Sequence, residues 1–386
     1  MKKLRTQILL AAIFLIVFAV PVSAKVGSSH TTGASIPKYK NVVVKNVDAA
    51  DFDRTLYRAL LEAQQMANSS TQYKIVIPPG TYQTGRLYMI PSNTYLYAVG
   101  ATINAYGTRV GMFCTNPAQK SENIIVEGGT WSTLNQNSSV DGTVIRLLGV
   151  KNMVLKNMTI TTKRKSHIVE VADMNGFTMT GCTLSGNNRD SSVPYKNVQP
   201  KEALQLDVAT KAAMPGFGTT DNMYNGKGCH KVLIKNNTFI NCARGLGSHS
   251  GTGGGAERRP YTDITVTGNT IKNLLGEGIY AQDWRNCTIT GNTISNCRQA
   301  GMFLLDAYNV RINKNKVSNV KRYSGPRKTT YDPRGVYGTG FIVRHSSKIY
   351  MDNNQFNKIY KTAITQEGNC KGNTSKGNKA KNIIKK

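Results

Sequence analysis

The chain has 386 residues and carries 50 Lys and Arg against 21 Asp and Glu, a formal net charge of +29. A field of that sign favours polyanionic partners over cationic ones. The 7 cysteines include no C-x-x-C pair, which excludes the usual zinc-site spacing, and no segment beyond the N-terminus is long and apolar enough to span a membrane.

Residues 1–24 read as a secretory signal. Lys2, Lys3 and Arg5 form its positive end, Ile8–Val20 its apolar centre, and Val22, Ser23 and Ala24 a small-residue cleavage site. The expected location is extracellular, with no membrane contact after cleavage, and loss of the three signal cations leaves a charge of +26. Residues 25–46 form a polar lead-in. Phe52, Leu56, Ala59, Leu60 and Ala63 then recur at helical spacing and predict one amphipathic helix. Strand-like runs follow at residues 73–82, 87–90 and 94–103, broken by Pro78-Pro79-Gly80 and Pro91-Ser92-Asn93 turns. A helix ahead of the first strands suits a cap over the open end of a solenoid.

From residue 129 onward one phrase repeats, Asn-x-(Phe/Ile/Val) closing a short alternating run. It stands at Asn237, Asn269, Asn292, Asn315 and Asn354, with Gly129, Met158 and Cys182 at the equivalent upstream places. The intervals are 29, 24, 55, 32, 23, 23 and 39 residues, a basic period of 23 with additions in some coils. Each unit holds two short strand-period runs and no helix-period segment, so the expected fold is all-β, a right-handed parallel β-helix. In such a coil each position stacks about 4.8 Å above its equivalent. Asn tolerates the left-handed bend a coil needs, and stacked amides can bond one another, so this column reads as structural. Cys242 and Cys297 fall in one column but two coils apart, beyond disulfide reach, and the cysteines read mostly as small buried hydrophobes. The domain expected is residues 47–372, cap included, followed by a basic tail at 373–386.

Residues 48–104, with an acidic residue beside a short helix, then Val76-Ile77-Pro78-Pro79-Gly80-Thr81-Tyr82, a Ser-Asn turn and Gly100-Ala101-Thr102-Ile103, resemble the start of pectate-lyase-superfamily proteins. Together with the repeats through about residue 367, the resemblance covers most of the chain. It implies a right-handed β-helix hosting lyases, polygalacturonase-like hydrolases, uronan epimerases or phage tailspikes.

The additions to the 23-residue period fall at 186–200, 209–229, 251–262 and 321–338, and all flank the same strand of the coil. Loops rising from both edges of one sheet would frame a groove across it. Aligning the strands under that groove puts Glu170, Gln205, Gly247, Tyr280, Phe303 and Ile342 in one outward column. A second outward column holds Ala172, Asp207, His249, Gln282, Leu305 and Arg344. Asp207 beside His249 could fix the imidazole in one tautomer and let it act as general base or acid. A further column at the strand start, His167, Glu202, Arg244 and Glu277, alternates in sign; it reads either as a site or as a stabilising ladder.

Polygalacturonase-like enzymes carry an Asp-Asp pair and a Gly-His-Gly where this chain has Lys201-Glu202-Ala203 and Ala243-Arg244-Gly245. Hydrolysis needs two carboxylates, so a lyase is the favoured reading. The lyase reading takes Asp207, His249, Glu202 and Arg244 as catalytic residues. It takes Arg258, Arg259, Tyr261, Lys201, Lys211, Gln282 and His167 as substrate-binding residues. The expected substrate is an acidic, uronate-containing polysaccharide, not nucleic acid, and the chain is read as a monomer. No metal ligand is assigned; a Ca²⁺ site, if built, would draw on Glu170, Glu202 and Asp207. A hydrolase, an epimerase, or a non-catalytic wall-binding solenoid with Tyr195, Phe217, Tyr224, Tyr261, Trp284 and Tyr331 in the groove are the alternatives.

Overall fold

A computed structural model describes residues 32–107, 111–136, 142–187, 201–217, 220–248, 261–322 and 338–384. Its strands pair in parallel into sheets of 12, 10 and 11 strands, and successive strands of the chain visit the 12-, the 11- and then the 10-stranded sheet in turn. This is a parallel β-helix. One coil is Trp284–Thr290, Thr293–Ser295 and Ala300–Leu305, and the next begins at Tyr308–Asn313.

The strands form because each alternates, and each inward residue meets its own kind on the next coil. Ile234, Val266, Ile289 and Ile312 lie in register in the 12-stranded sheet, and Phe239, Ile271, Ile294 and Val317 in the 11-stranded one. All are buried, and each such side chain contributes about 1.5–3 kcal/mol by leaving water.

The helix α1 (Phe52–Met66) covers the first coil, burying Phe52, Leu56, Ala59, Leu60 and Ala63 as the spacing predicts. Phe52 stacks on Tyr82 with ring centroids 4.3 Å apart. Asp53 on α1 also accepts hydrogen bonds from Thr84 Oγ1 and Tyr88 Oη, both at 2.7 Å, tying the cap to the second and third strands of the coil.

The repeated asparagines form a buried ladder. Nδ2 of Asn237, Asn269, Asn292 and Asn315 donates to Oδ1 of the next member at 2.9–3.0 Å, and Asn354 continues it to Asn378. Contrary to expectation, these asparagines do not take the left-handed bend themselves. The preceding residue does: Asn236, Gly268, Gly291, Lys314, Asn353 and Gly377 have φ between 54° and 66°. The ladder residue is thereby turned inward, where its amide satisfies a backbone N–H and a carbonyl of the preceding coil. The seven cysteines are free, and all but Cys370 are buried.

Two boundaries differ from the sequence reading. The lead-in is not featureless: Asn41–Asn46 pairs with Thr71–Val76 as the first strand of the 12-stranded sheet. Ahead of it, residues 32–39 cross the outside of that sheet from coil to coil. Thr32 bonds Thr265, Ala34 N–H donates to Thr178, Ser35 N–H to Asn152, and Tyr39 Oη to Asn93. At Gly33 (φ 96°) a Cβ would lie 2.6 Å from Thr178 Oγ1, so the close crossing requires glycine. The basic tail likewise belongs to the helix, since Thr374–Lys376 and Lys379–Lys381 pair with Ser347–Asp352 and Gln355–Ile359.

Candidate functional site

The 10-stranded sheet is the one flanked by the insertions, and its register reproduces both outward columns. Glu170 pairs with Gln205, Gln205 with Gly247, Gly247 with Tyr280, and Tyr280 with Phe303. Ala172 pairs with Asp207, Gln282 with Leu305, and Leu305 with Arg344. Leu206 pairs with Ser248, the last described residue of its strand. His249, Arg258 and Arg259 lie outside the described residues, as do Tyr195 and Tyr331.

Asp207 is 1% exposed although its position faces away from the coil interior. Burial pushes its carboxyl up to about 8; the Val208 N–H donating to Oδ1 at 2.7 Å and the Gln205 amide donating to Oδ2 at 3.1 Å oppose this, while Glu170 and Glu202 add to it. The group therefore holds its proton at neutral pH. A buried carboxylic acid of that kind can give a proton to a leaving oxygen.

The column at the strand start is an ion-pair ladder. Arg244 Nη1 lies 2.6 Å from Glu202 Oε1 and Nε 2.9 Å from Glu277 Oε2, with its guanidinium 4.2 Å above the Tyr280 ring. His167 Nδ1 is 3.1 Å from the Glu202 carbonyl and 3.6 Å from its carboxylate. His167, Glu202, Arg244 and Glu277 are at most 4% exposed. Burial would lower the Arg244 pKa, but Glu277 and Glu202 raise it, so the cation is locked between them. Glu202 and Arg244, expected as catalytic, and His167, expected as a substrate contact, are thus engaged with one another. These groups face one another and brace four successive coils.

The same arrangement recurs along the sheet. Arg146 Nε donates to Glu170 at 2.8 Å and its guanidinium lies 5.2 Å from the Phe217 ring. Arg344 Nε donates to Glu367 at 2.9 Å and stacks 5.1 Å from Phe303. Glu170 and Glu202, named for Ca²⁺, are engaged by arginines, and the described residues hold no convergent trio of His, Cys, Asp or Glu.

Tyr261 is not on a loop. It opens the strand Tyr261–Thr267, above Trp284, and both rings are fully buried in the core. The Trp284 indole donates to Ser248 Oγ at 2.8 Å. Burial raises the Tyr261 hydroxyl well above its ordinary pKa. Neither aromatic can touch a ligand in the groove. Of the remaining expected contacts, Lys211 is exposed, and Lys201 and Gln282 are half-buried.

The described part of the 209–229 insertion lies down on the sheet instead of rising from it. Ala209 and Lys227 close its base, with Ala209 N–H donating to the Lys227 carbonyl at 2.9 Å. Met214 and Met223 pack on the outward Leu148 and Ala172, forming a small apolar cluster outside the main core. Arg146 Nη1 reaches the Pro215 carbonyl at 3.2 Å. Sequence reasoning missed this cover, and with it the Arg146–Glu170 pair; the apolar outward residues Leu148 and Ala172 were the available signal.

The comparisons agree with this architecture. Residues 225–380 match the family described as right handed beta helix region. PfbA, a surface adhesin of Streptococcus pneumoniae, superposes with a TM-score of 0.59 at 14% identity over 84% of this chain and 87% of that one. The tailspike of E. coli bacteriophage HK620, solved with a pentasaccharide, gives 0.55 at 14% identity, over 88% of this chain and 60% of that one. The exopolygalacturonase of Thermotoga maritima gives 0.52 at 11% identity, over 89% and 94%. No curated protein shows a significant sequence match. The chain has the right-handed parallel β-helix fold.

Proposed function

We propose that the protein acts outside the cell, after removal of residues 1–24, on an acidic, uronate-containing polysaccharide laid across the 10-stranded sheet. It cleaves this polymer by β-elimination. The observation that carries the reading is the Asp207 carboxyl, pushed up to about 8 and so protonated at neutral pH on the outward column. In β-elimination a base removes the C5 proton, the C4–O bond breaks as the C4–C5 double bond forms, and the departing oxygen takes a proton. Asp207 is the proton donor and His249, which the repeat spacing aligns with it, the base. With Arg244 held between two acids, the cations left for the uronate carboxylate are Lys201, Lys211, Arg258 and Arg259. The pentasaccharide on the tailspike and the polymer named for the exopolygalacturonase support a saccharide partner.

The test is to incubate the mature protein with pectate, alginate and glycosaminoglycans and follow the unsaturated product by ultraviolet absorbance. Asp207→Asn should lower the rate by about a hundredfold or more. The wild-type rate should fall as pH rises through about 8, where Asp207 loses its proton. Absence of product from every polymer would sink the lyase reading.

A second reading, a non-catalytic wall-binding solenoid, is favoured by one observation: the described arginines of the 10-stranded sheet, Arg146, Arg244 and Arg344, are internally neutralised. It predicts polymer binding unaffected by Asp207→Asn and no product of any kind.

A further inference from the structure

A pocket of about 420 Å³ opens at the corner between the 10- and 12-stranded sheets, on the outer side of the insertion's base. Lys120, Ser121, Gly149, Val150, Lys151, Asp173, Asn175, Lys227 and His230 line it, so four successive coils contribute. Its volume lies within the about 300–1,000 Å³ usual for small-molecule sites.

The local sequence makes the recess. Gly149, at φ 67°, occupies the corner where the next coil carries Asp173, and the missing side chain leaves a notch. A Cβ there would lie 3.1 Å from Met223 Cε and 3.4 Å from Lys120 Cγ, so the insertion closes against the same glycine.

The charge inside is unbalanced. Asp173 takes Lys120 Nζ at 2.8 Å and the Asn225 amide at 2.7 Å. Lys151 stands 3.9 Å from Glu122 with both side chains largely in solvent, and Lys227 makes no ion pair among the described residues. One floor is apolar, at Val150. His230 adds a polar acceptor. Thr262 Oγ1 donates to Asp263 Oδ2 at 3.2 Å, so the 2.9 Å contact between His230 Nδ1 and Thr262 Oγ1 is filled by the ring N–H. Its other nitrogen is then left to accept a hydroxyl proton. Burial holds the ring neutral by lowering its pKa.

We propose that this pocket binds a single carboxylate-bearing sugar unit, a uronate, at a site separate from the outer face of the 10-stranded sheet. Lys151 and Lys227 meet the carboxylate, and His230 and Asn175 meet ring hydroxyls. The ring itself lies over Val150. The proposal does not depend on catalysis at Asp207.

The experiment titrates the mature full chain with galacturonate, glucuronate, glucose and inorganic phosphate, followed by calorimetry and by the His230 ring resonances. Uronate should bind and shift those resonances, glucose should not bind, and phosphate should bind at least about fivefold more weakly, since it lacks the hydroxyl contacts. The double variant Lys151→Ala, Lys227→Ala should weaken uronate binding by about tenfold, two charge-assisted contacts being lost, with unchanged thermal stability because both lysines are exposed. Asp207→Asn should leave the binding intact, which separates this site from the proposed reaction. Uronate affinity unchanged in the double variant, phosphate binding as tight as uronate, or no uronate binding would each overturn the proposal.

Discussion

Asn292 shows how completely one side chain can be used. Its Oδ1 accepts from the backbone N–H and Nδ2 of Asn269, and its Nδ2 donates to Asn315 Oδ1 and to the Val266 carbonyl. Each buried group left without a partner costs about 1–3 kcal/mol. Asn292→Ala is therefore expected to lower stability by about 3 kcal/mol, read from the urea midpoint. A second Asn ladder, Asn273, Asn296 and Asn319, runs in solvent, with Asn296 at φ 56°. Asn296→Gly keeps that backbone geometry and should cost less than about 1 kcal/mol. Equal losses at the two sites would contradict the account. Spacing alone exposed the ladder, but not which residue takes the bend. The left-handed position holds Asn, Gly or Lys, so its identity varies while the inward Asn does not.

Between residue and fold stand the strands and their insertions. Period-two alternation and the 23-residue interval were enough to place His167, Glu202, Arg244 and Glu277 in one column and Asp207 in another. What covers those columns was not legible, because an insertion has no repeat to align it by. Tyr261 illustrates the limit: counted as loop, it sits where Cys229, Trp284 and Ala307 turn inward, and its aromatic match with Trp284 was the overlooked sign. The cover over Leu148 and Ala172 rests on Met214 and Met223, apart from the main core. Met214→Ala with Met223→Ala should therefore loosen the segment locally. Tryptic cleavage at Lys211 should accelerate by about tenfold, while the thermal midpoint of the coil stack moves little. A matching collapse of the whole protein would mean that the segment is integral to the solenoid.

At the scale of the whole molecule, charge and connectivity act together. The arginines on the 10-stranded sheet are neutralised by Glu170, Glu202, Glu277 and Glu367, so the net positive field originates mainly from exposed lysines elsewhere. Such a field is screened by salt. Affinity for an acidic polysaccharide should fall about tenfold between roughly 50 and 300 mM NaCl, measured by retention on the immobilised polymer. Salt-independent retention would point to short-range contacts alone.

The crossing of residues 32–39 over the 12-stranded sheet also sets an order of events. These residues are made before the coils they touch, since their partners run from Asn93 through Asn152 and Thr178 to Thr265. A chain synthesised from its N-terminus must therefore leave this segment waiting until the coil bearing Thr265 has wound. Gly33 N–H also donates to the Lys231 carbonyl, so docking of the segment marks the moment when five separate turns are in register, and an early strand of sequence becomes a late fastening in time.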